Sequence, residues 1–251
     1  MSAADIVIIG GGVAGSATAY ALTKGNQRPG RVVIVERDTS YAYCSTARSA
    51  GGVRLQFSTP ENIALSKTMV RLLRDLKAEF GPDADIPFRE QGYLIMASAA
   101  GRGILESNAA VQRGFGATTE IVDAAAFASR FPWINADGVA AGSYGPSNEG
   151  WIDPVLLMTL LRSAAVKAGA VVIKGDVVAV DRDGDRISGV RLGNGERIGC
   201  GRLVNAAGPY SGRIADMAGI PLPVEPRKRY VYVIDSRRAG EEMRKGPLTV
   251  D

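Results

Sequence analysis

The chain has 251 residues, 46% of them hydrophobic and 22% charged, a composition that excludes disorder and suits one large globular domain or two intimate ones. A net charge of +4 and a pI near 9.1 are spread along the chain, and the tightest basic run, Arg227-Lys228-Arg229, sits in a stretch that reads as a strand, so the balance describes a mildly basic surface and no nucleic-acid face. No histidine occurs, which removes Ser-His-Asp and Cys-His nucleophilic machinery and imidazole metal sites.

In chain order, DIVIIG at 5–10 is a continuous β-branched run suited to a buried parallel strand. GGVAG makes a tight turn, SATAYALTKG reads as a helix ended by Gly25, and RVVIVE at 31–36 is a second buried strand. Gly10, Gly12 and Gly15 fit G-x-G-x-x-G: the first permits the turn, the second lets a pyrophosphate approach the backbone, and the third lets helix pack on strand. Val13 and Ala14 lie inside that triplet, where a helix amino terminus offers unpaired N–H groups to phosphates. Glu36 ends the second strand 21 residues after Gly15, with Arg37 beside it, where an acid can accept from ribose hydroxyls and disfavours a 2′-phosphate. Strand, helix and acid together point to a dinucleotide; the triplet alone leaves NAD and FAD both open.

The loop STARSAGG at 45–52 crowds small residues around Arg48, then presents Arg54, with no acid before Glu61 to balance either charge. The next segment, 59–82, predicts one long amphipathic helix capped by Thr59, with Pro60 in its first turn. Met69, Leu72, Leu73, Leu76 and Phe80 form its apolar stripe, and Gly81-Pro82 ends it. IPFREQGYLIMAS reads as a strand or strand pair, ILESNAAVQRGFG and DAAAFASRFPW as short helices, and GVAAGSYGP as a strand. Asp153-Pro154 opens another helix that runs to Gly169 and leads into AVVIKG, a meander with DG and NG turns, and the strand RLVNAAG. Within the meander, DRDGDR at 181–186 imitates a calcium loop, but Arg186 and Leu192 stand where the glycine and the bidentate glutamate belong, so a hairpin turn is the reading. Cys44 and Cys200 have no metal-ligand or CxxC spacing, no metal site is expected, no apolar run reaches membrane-spanning length, and the first residues enter a strand at once; the expected setting is reducing and cytoplasmic.

A second small-residue turn, Ala206-Ala207-Gly208, follows the strand RLVN and precedes a helix, as if backbone must come close to another face of the same ligand. With the first turn, Glu36 and the loop at 45–52, it resembles the D-amino-acid oxidase, sarcosine oxidase and glycine oxidase superfamily of FAD-dependent oxidoreductases. FREQGYL, ESN, FPWIN, YGPSNEGWIDP and PLPVEPRKRYVYV look particularly like its branch of FAD-dependent oxidoreductase domain-containing proteins. The resemblance implies a two-domain α/β fold. A Rossmann-like, glutathione-reductase-like FAD-binding domain is expected from 1–85 and 150–220, and an inserted, mainly antiparallel α+β substrate domain from 86–149 and 221–251.

It also implies that Ser45, Thr46, Ser49, Ala50, Gly51 and Gly52 line the flavin, that Val177 touches the adenine through its main chain, and that Ala206, Ala207 and Gly208 approach the cofactor. Arg48 stands where some relatives carry a flavin-linking histidine, so the FAD is expected to be non-covalent, with Arg48 near the phosphates. Arg54 matches an arginine that grips a substrate carboxylate; a planar guanidinium does this bidentately and fixes which C–H faces flavin N5. The implied reaction is oxidation of the C–N bond of an amino acid or N-methyl amino acid by hydride transfer to FAD. Three other readings stay open: a flavoprotein whose FAD is structural and which binds or assembles a partner, a nicotinamide-dependent enzyme that uses the glycine triplet for NAD, and an inactive amino-terminal fragment. Members of the superfamily continue past GPLTVD, so the chain is expected to be truncated; a separate carboxy-terminal chain or an electron acceptor are the further expected partners.

Overall fold

The computed structural model describes residues 2–25, 30–236 and 240–251. The chain opens with β1 (Ser2–Ile9), α1 (Val13–Thr23), β2 (Val32–Glu36) and the short β3 (Gly52–Val53), then α2 (Pro60–Arg74), α3 (Leu76–Phe80), β4 (Tyr93–Ala97) and α4 (Arg102–Gly114). It continues through β5 (Glu120–Asp123), α5 (Ala124–Arg130), β6 (Ala141–Gly145), β7 (Gly150–Trp151) and α6 (Pro154–Lys167). There follow β8 (Val171–Lys174), β9 (Val177–Asp183), β10 (Arg186–Leu192), β11 (Arg197–Asn205), a 3-10 turn Gly208–Tyr210, α7 (Ser211–Met217), α8 (Glu241–Arg244) and β12 (Leu248–Val250).

Two compact units result, each built from two chain segments: Met1–Ser49 with Pro154–Tyr232, and Ala50–Asp153 with Val233–Asp251. The first holds a six-stranded sheet in the order β8-β2-β1-β11-β10-β9. β8, β2, β1 and β11 run parallel, and the hairpin strands β10 and β9 complete it antiparallel. Burial on both faces explains the unbroken apolar runs. Val7, Ile9, Val33 and Val35 pack with Val190, Leu192, Ile198 and Ile214 on one side, while Ile6, Ile8, Val32 and Ile34 pack with Ala19 of α1 and Ala165 of α6 on the other. Ala19 and Ala165 are fully buried, and such small side chains let the two helices lie close to the sheet.

The second unit holds the sheet β12-β4-β6-β5, in which β4 and β5 flank β6 antiparallel and β12 joins β4 in parallel, plus the β3–β7 ribbon. Leu94, Val122, Phe127 and Phe131 form its core, with Phe131 edge-on to Tyr144 at 5.4 Å. Asp123 caps α5 by accepting from the Ala126 N–H at 2.8 Å.

Four expectations are corrected. The helix over 59–82 divides at Asp75, a residue type that prefers caps to helix interiors. Thr59 makes no side-chain cap bond, and Ile63, Val70, Leu73 and Leu76 are the buried positions, with Met69, Leu72 and Phe80 only partly covered. The end of the meander and the strand RLVN are one strand, β11, because its first residues pair with β10 and Ile198 to Asn205 run along β1. Arg227-Lys228-Arg229 is not in a strand: an extended segment becomes one only where a neighbour accepts its hydrogen bonds, and residues 221–235 are exposed without such a partner among the described residues. Residues 50–85 and 150–153, grouped with the first unit in the sequence reading, fall in the second, where Gln112 of α4 donates to the Phe57 carbonyl at 3.2 Å and Gln56 is held by β4 and β6, while 221–232, grouped with the second, fall in the first.

Candidate cofactor and substrate sites

In the first unit the parallel strands β1, β2 and β11 end on the same edge, with β1 lying between β2 and β11. Ligands of open α/β sheets bind outside such carboxyl ends of parallel strands. Gly10 to Gly12, Glu36 with Arg37, and Ala206 to Gly208 are gathered there. Gly10 has φ +99°, and a side chain on it would run into the Ala206 carbonyl; one on Gly15 would run into the Gly10 carbonyl. These two glycines are therefore required by the protein's own packing. Gly12 is different: a Cβ there would meet only Thr46 Oγ1, at 3.3 Å. No acidic side chain occupies the first turn of α1, and the N–H groups of Ala14 and Gly15 have no acceptor among the described residues, while Val13 N–H is taken by Thr46 Oγ1 at 3.1 Å. An open cradle at Gly12 beside unpaired helix N–H groups fits the pyrophosphate of a dinucleotide.

Glu36 is buried, and its carboxylate already braces the turn: Oε2 accepts from Gly11 N–H at 2.7 Å and Oε1 from Asp38 N–H at 2.9 Å. Each oxygen keeps a further lone pair for a ribose hydroxyl. Gly11, which lies between the glycines of the triplet, has no room for a side chain because Tyr41 Oη would stand 2.7 Å from it. The Arg37 guanidinium lies over the Tyr210 ring at 4.1 Å, and its pKa is raised by its hydrogen bond to that phenol. Ser45 is exposed; Arg48 is exposed too, donating to the Ala42 carbonyl at 3.3 Å beneath the Tyr43 ring. Ser49 N–H bonds the Thr46 carbonyl. Val177 is buried at the start of β9 opposite Leu192, and Gly208, at φ +57°, opens the turn into α7. A hollow of about 440 Å³ between Tyr41, Arg162 and Val172 lies on the α6 side and shares with the glycine turn only Tyr41.

Ala50, Gly51 and Gly52 belong to the second unit. Gly51 O accepts from Ile152 N–H at 3.0 Å and Gly52 pairs with Trp151, which anchors the ribbon that carries Arg54. Arg54 is half-buried; Nη1 donates to Tyr93 Oη at 3.2 Å, and the guanidinium lies 4.8 Å from the Phe57 ring centre. Next to it is a network that the sequence reading did not single out. Glu149 is 1% exposed, and its Oε1 accepts from Leu55 N–H at 2.7 Å. Its Oε2 accepts from Gln56 Nε2, also at 2.7 Å. Gln56 Nε2 also donates to the Tyr93 carbonyl at 2.8 Å, and Ser143 Oγ donates to Gln56 Oε1 at 2.6 Å. Burial pushes the Glu149 carboxyl up to about 7, against the opposing pull of Gln56, the Leu55 N–H and the Arg54 charge. The signal available in YGPSNEGWIDP was an acid beside two glycines, Gly145 and Gly150; its burial is a tertiary property. Among the described residues no cluster of acids or cysteines could hold a metal, and Asp181 of the calcium-like loop instead binds Arg191 and Arg197.

Comparison with known proteins agrees with this geometry. The FAD dependent oxidoreductase family, DAO, matches residues 5–250. FAD-dependent oxidoreductase domain-containing protein 1 of Xenopus laevis is 40% identical over 266 aligned residues, covering 92% of this chain and 53% of its own length. Mitochondrial sarcosine dehydrogenase of Mus musculus is 30% identical over 95% of this chain and 26% of its own. Among solved structures, L-proline dehydrogenase from P. horikoshii superposes with a TM-score of 0.73 at 28% identity, over 87% of this chain and 56% of that one. The chain spans about half the length of the first of these relatives. It belongs to the DAO family, whose members are FAD-dependent oxidoreductases.

Proposed function

We propose that the protein oxidises the C–N bond of a carboxylated amine, an amino acid or N-methyl amino acid, with Arg54 as the carboxylate anchor. The observation that carries this is the state of Arg54. A half-buried guanidinium sits between Phe57 and Tyr93, forms no ion pair among the described residues, and donates only to a neutral phenol. Most of its N–H groups remain free for a planar anion. Two relatives named above, sarcosine dehydrogenase and L-proline dehydrogenase, carry in their names carboxylated secondary amines, which supports the substrate class. FAD, when bound, supplies the hydride acceptor. The chain's part is to hold it: the α1 amino terminus toward the pyrophosphate, Glu36 toward the ribose, and Ser45 to Ser49, Val177 and the turn 206–208 of the same unit toward the rest. The absence of histidine is compatible with this, because an amine that binds neutral can give hydride without a strong side-chain base.

The test is anaerobic bleaching of the FAD-loaded protein by a panel of amino acids and N-methyl amino acids, with matched amines lacking the carboxylate. Arg54→Met should cost ~2–5 kcal/mol of binding for the carboxylated members, tens- to thousands-fold in Kd, and little for the others. Equal losses for both sets make Arg54 a structural residue. A flavin that no amine reduces favours a structural cofactor in a partner-binding protein.

A further inference from the structure

We propose that Glu149 is a positioning residue for the carboxylate anchor: its ionised carboxylate clamps the chain immediately after Arg54, and the anchor holds its place only while that clamp is charged. This rests on Arg54 gripping the substrate carboxylate. Leu55 and Gln56 follow Arg54 directly, and Glu149 takes one donor from each, the Leu55 N–H on one oxygen and the Gln56 amide on the other. Gln56 in turn is fixed to β4 through the Tyr93 carbonyl and to β6 through Ser143. The same residue, Tyr93, offers its hydroxyl to Arg54. Every atom that faces Glu149 from this segment is thus a donor, and a carboxylate is the side chain that accepts from both without offering a proton of its own. Protonation puts an O–H against one of those donors, leaves a buried donor without its acceptor, and cancels the attraction for the Arg54 guanidinium.

The surroundings select this role. A side chain at Gly145 would collide with the Glu149 carboxylate, so β6 leaves a slot for it. The charged and titratable groups acting on Glu149 are Arg54 from the segment after β3 and the Tyr144 phenol from β6. Arg74 and Glu90, bound to Asn148 in the preceding turn, pair with each other at 2.9 Å on a more exposed face. With the carboxyl brought up to about 7 by burial, the clamp changes state across the neutral range.

Two readouts on the FAD-loaded full chain test this, from about pH 5.5 to about pH 8.5, with acetate as a probe that has no amine to titrate. The first is hydrogen-exchange protection of the Leu55 amide, corrected for intrinsic exchange; the second is acetate affinity from the flavin absorbance change. In an opening that frees Leu55 and Gln56 but leaves Glu149 buried in its slot, the carboxyl loses its donors and holds its proton more tightly than in the clamp, so in the wild type both should rise as pH passes about 7, each by at least about fivefold, whereas Glu149→Gln should flatten both. The wild-type titration stands by itself if the variant does not fold. A Leu55 amide whose protection is independent of pH, or a Glu149→Gln profile that matches the wild type, overturns the proposal. So does acetate affinity that ignores pH while Arg54→Met still abolishes acetate binding, and in that case the anchor reading survives. If Arg54→Met leaves acetate affinity unchanged, the anchor reading falls and the clamp with it.

Discussion

Gly12→Ala and Gly15→Ala add the same methyl group three residues apart, yet they should do opposite things. A Cβ on Gly15 would overlap the Gly10 carbonyl oxygen and stand 3.0 Å from its carbon, backbone against backbone, so α1 would have to lift from the end of β1. Overpacking costs ~1–3 kcal/mol where side chains can move. None can move here, so a loss at or above ~3 kcal/mol is expected, a large share of the ~5–15 kcal/mol by which such a domain is stable. Gly12 has φ −61° and ψ −173°, open to any residue, and its Cβ would touch only the Thr46 hydroxyl at 3.3 Å. Its stability loss should stay within ~1 kcal/mol, that of a weaker helix cap. The methyl would nevertheless stand in the cradle proposed for the pyrophosphate, and FAD affinity should fall at least tenfold, ~1.4 kcal/mol. Urea unfolding of the flavin-free variants, paired with titration of FAD by quenching of its fluorescence, separates the two effects. Equal destabilisation by both substitutions, or Gly12→Ala binding FAD as well as the wild type, would refute the division of the glycines into packing and ligand roles.

Glu36→Arg should weaken FAD by more than the tenfold expected of Gly12→Ala and also lower flavin-free stability by ~1–3 kcal/mol, because the N–H groups of Gly11 and Asp38 lose their acceptor; unchanged urea midpoints would contradict the brace. FAD should separate completely from protein precipitated by acid, since no histidine exists to tether it; yellow precipitate would show a covalent link. Glu149 ionises near 7 when folded and near an ordinary 4.5 when unfolded, so it penalises folding progressively as pH rises from about 4.5 to 7, by ~3 kcal/mol in all, and Glu149→Gln should abolish that part of the pH dependence of unfolding. Parallel stability curves for the two proteins would show that Glu149 titrates normally.

The first unit was the more legible because its signals are local. Unbroken runs such as IVII and VVIV can only be strands buried on both faces, and a glycine turn between strand and helix has few geometries available. The second unit depends on contacts far apart in sequence. Glu149 reaches back 94 residues to Leu55 and 93 to Gln56, and nothing in NEG separates a buried acceptor from a solvated turn acid. The break at Asp75 and the missing strand at 227–229 have the same origin: propensity and alternation say what a segment can do, while partners decide whether it does.

That dependence on partners is also how the arginines sort. Arg197 places Nε on Asp181 at 2.6 Å and Nη2 on the Ser188 carbonyl; Arg74 shares Nη2 between Glu90 and Asn148; Arg130 holds Glu120 at 2.6 Å. Each has its charge met by a carboxylate. Arg54 is held by two aromatic rings and a phenol, but among the described residues its charge is met by no direct carboxylate. The acid that influences it, Glu149, has its oxygens turned to the backbone and amide of the next two residues. A fold that orders a guanidinium while directing the nearest carboxylate to other donors keeps the bidentate face of that arginine available to an external anion, and among the arginines compared here only Arg54 meets both conditions.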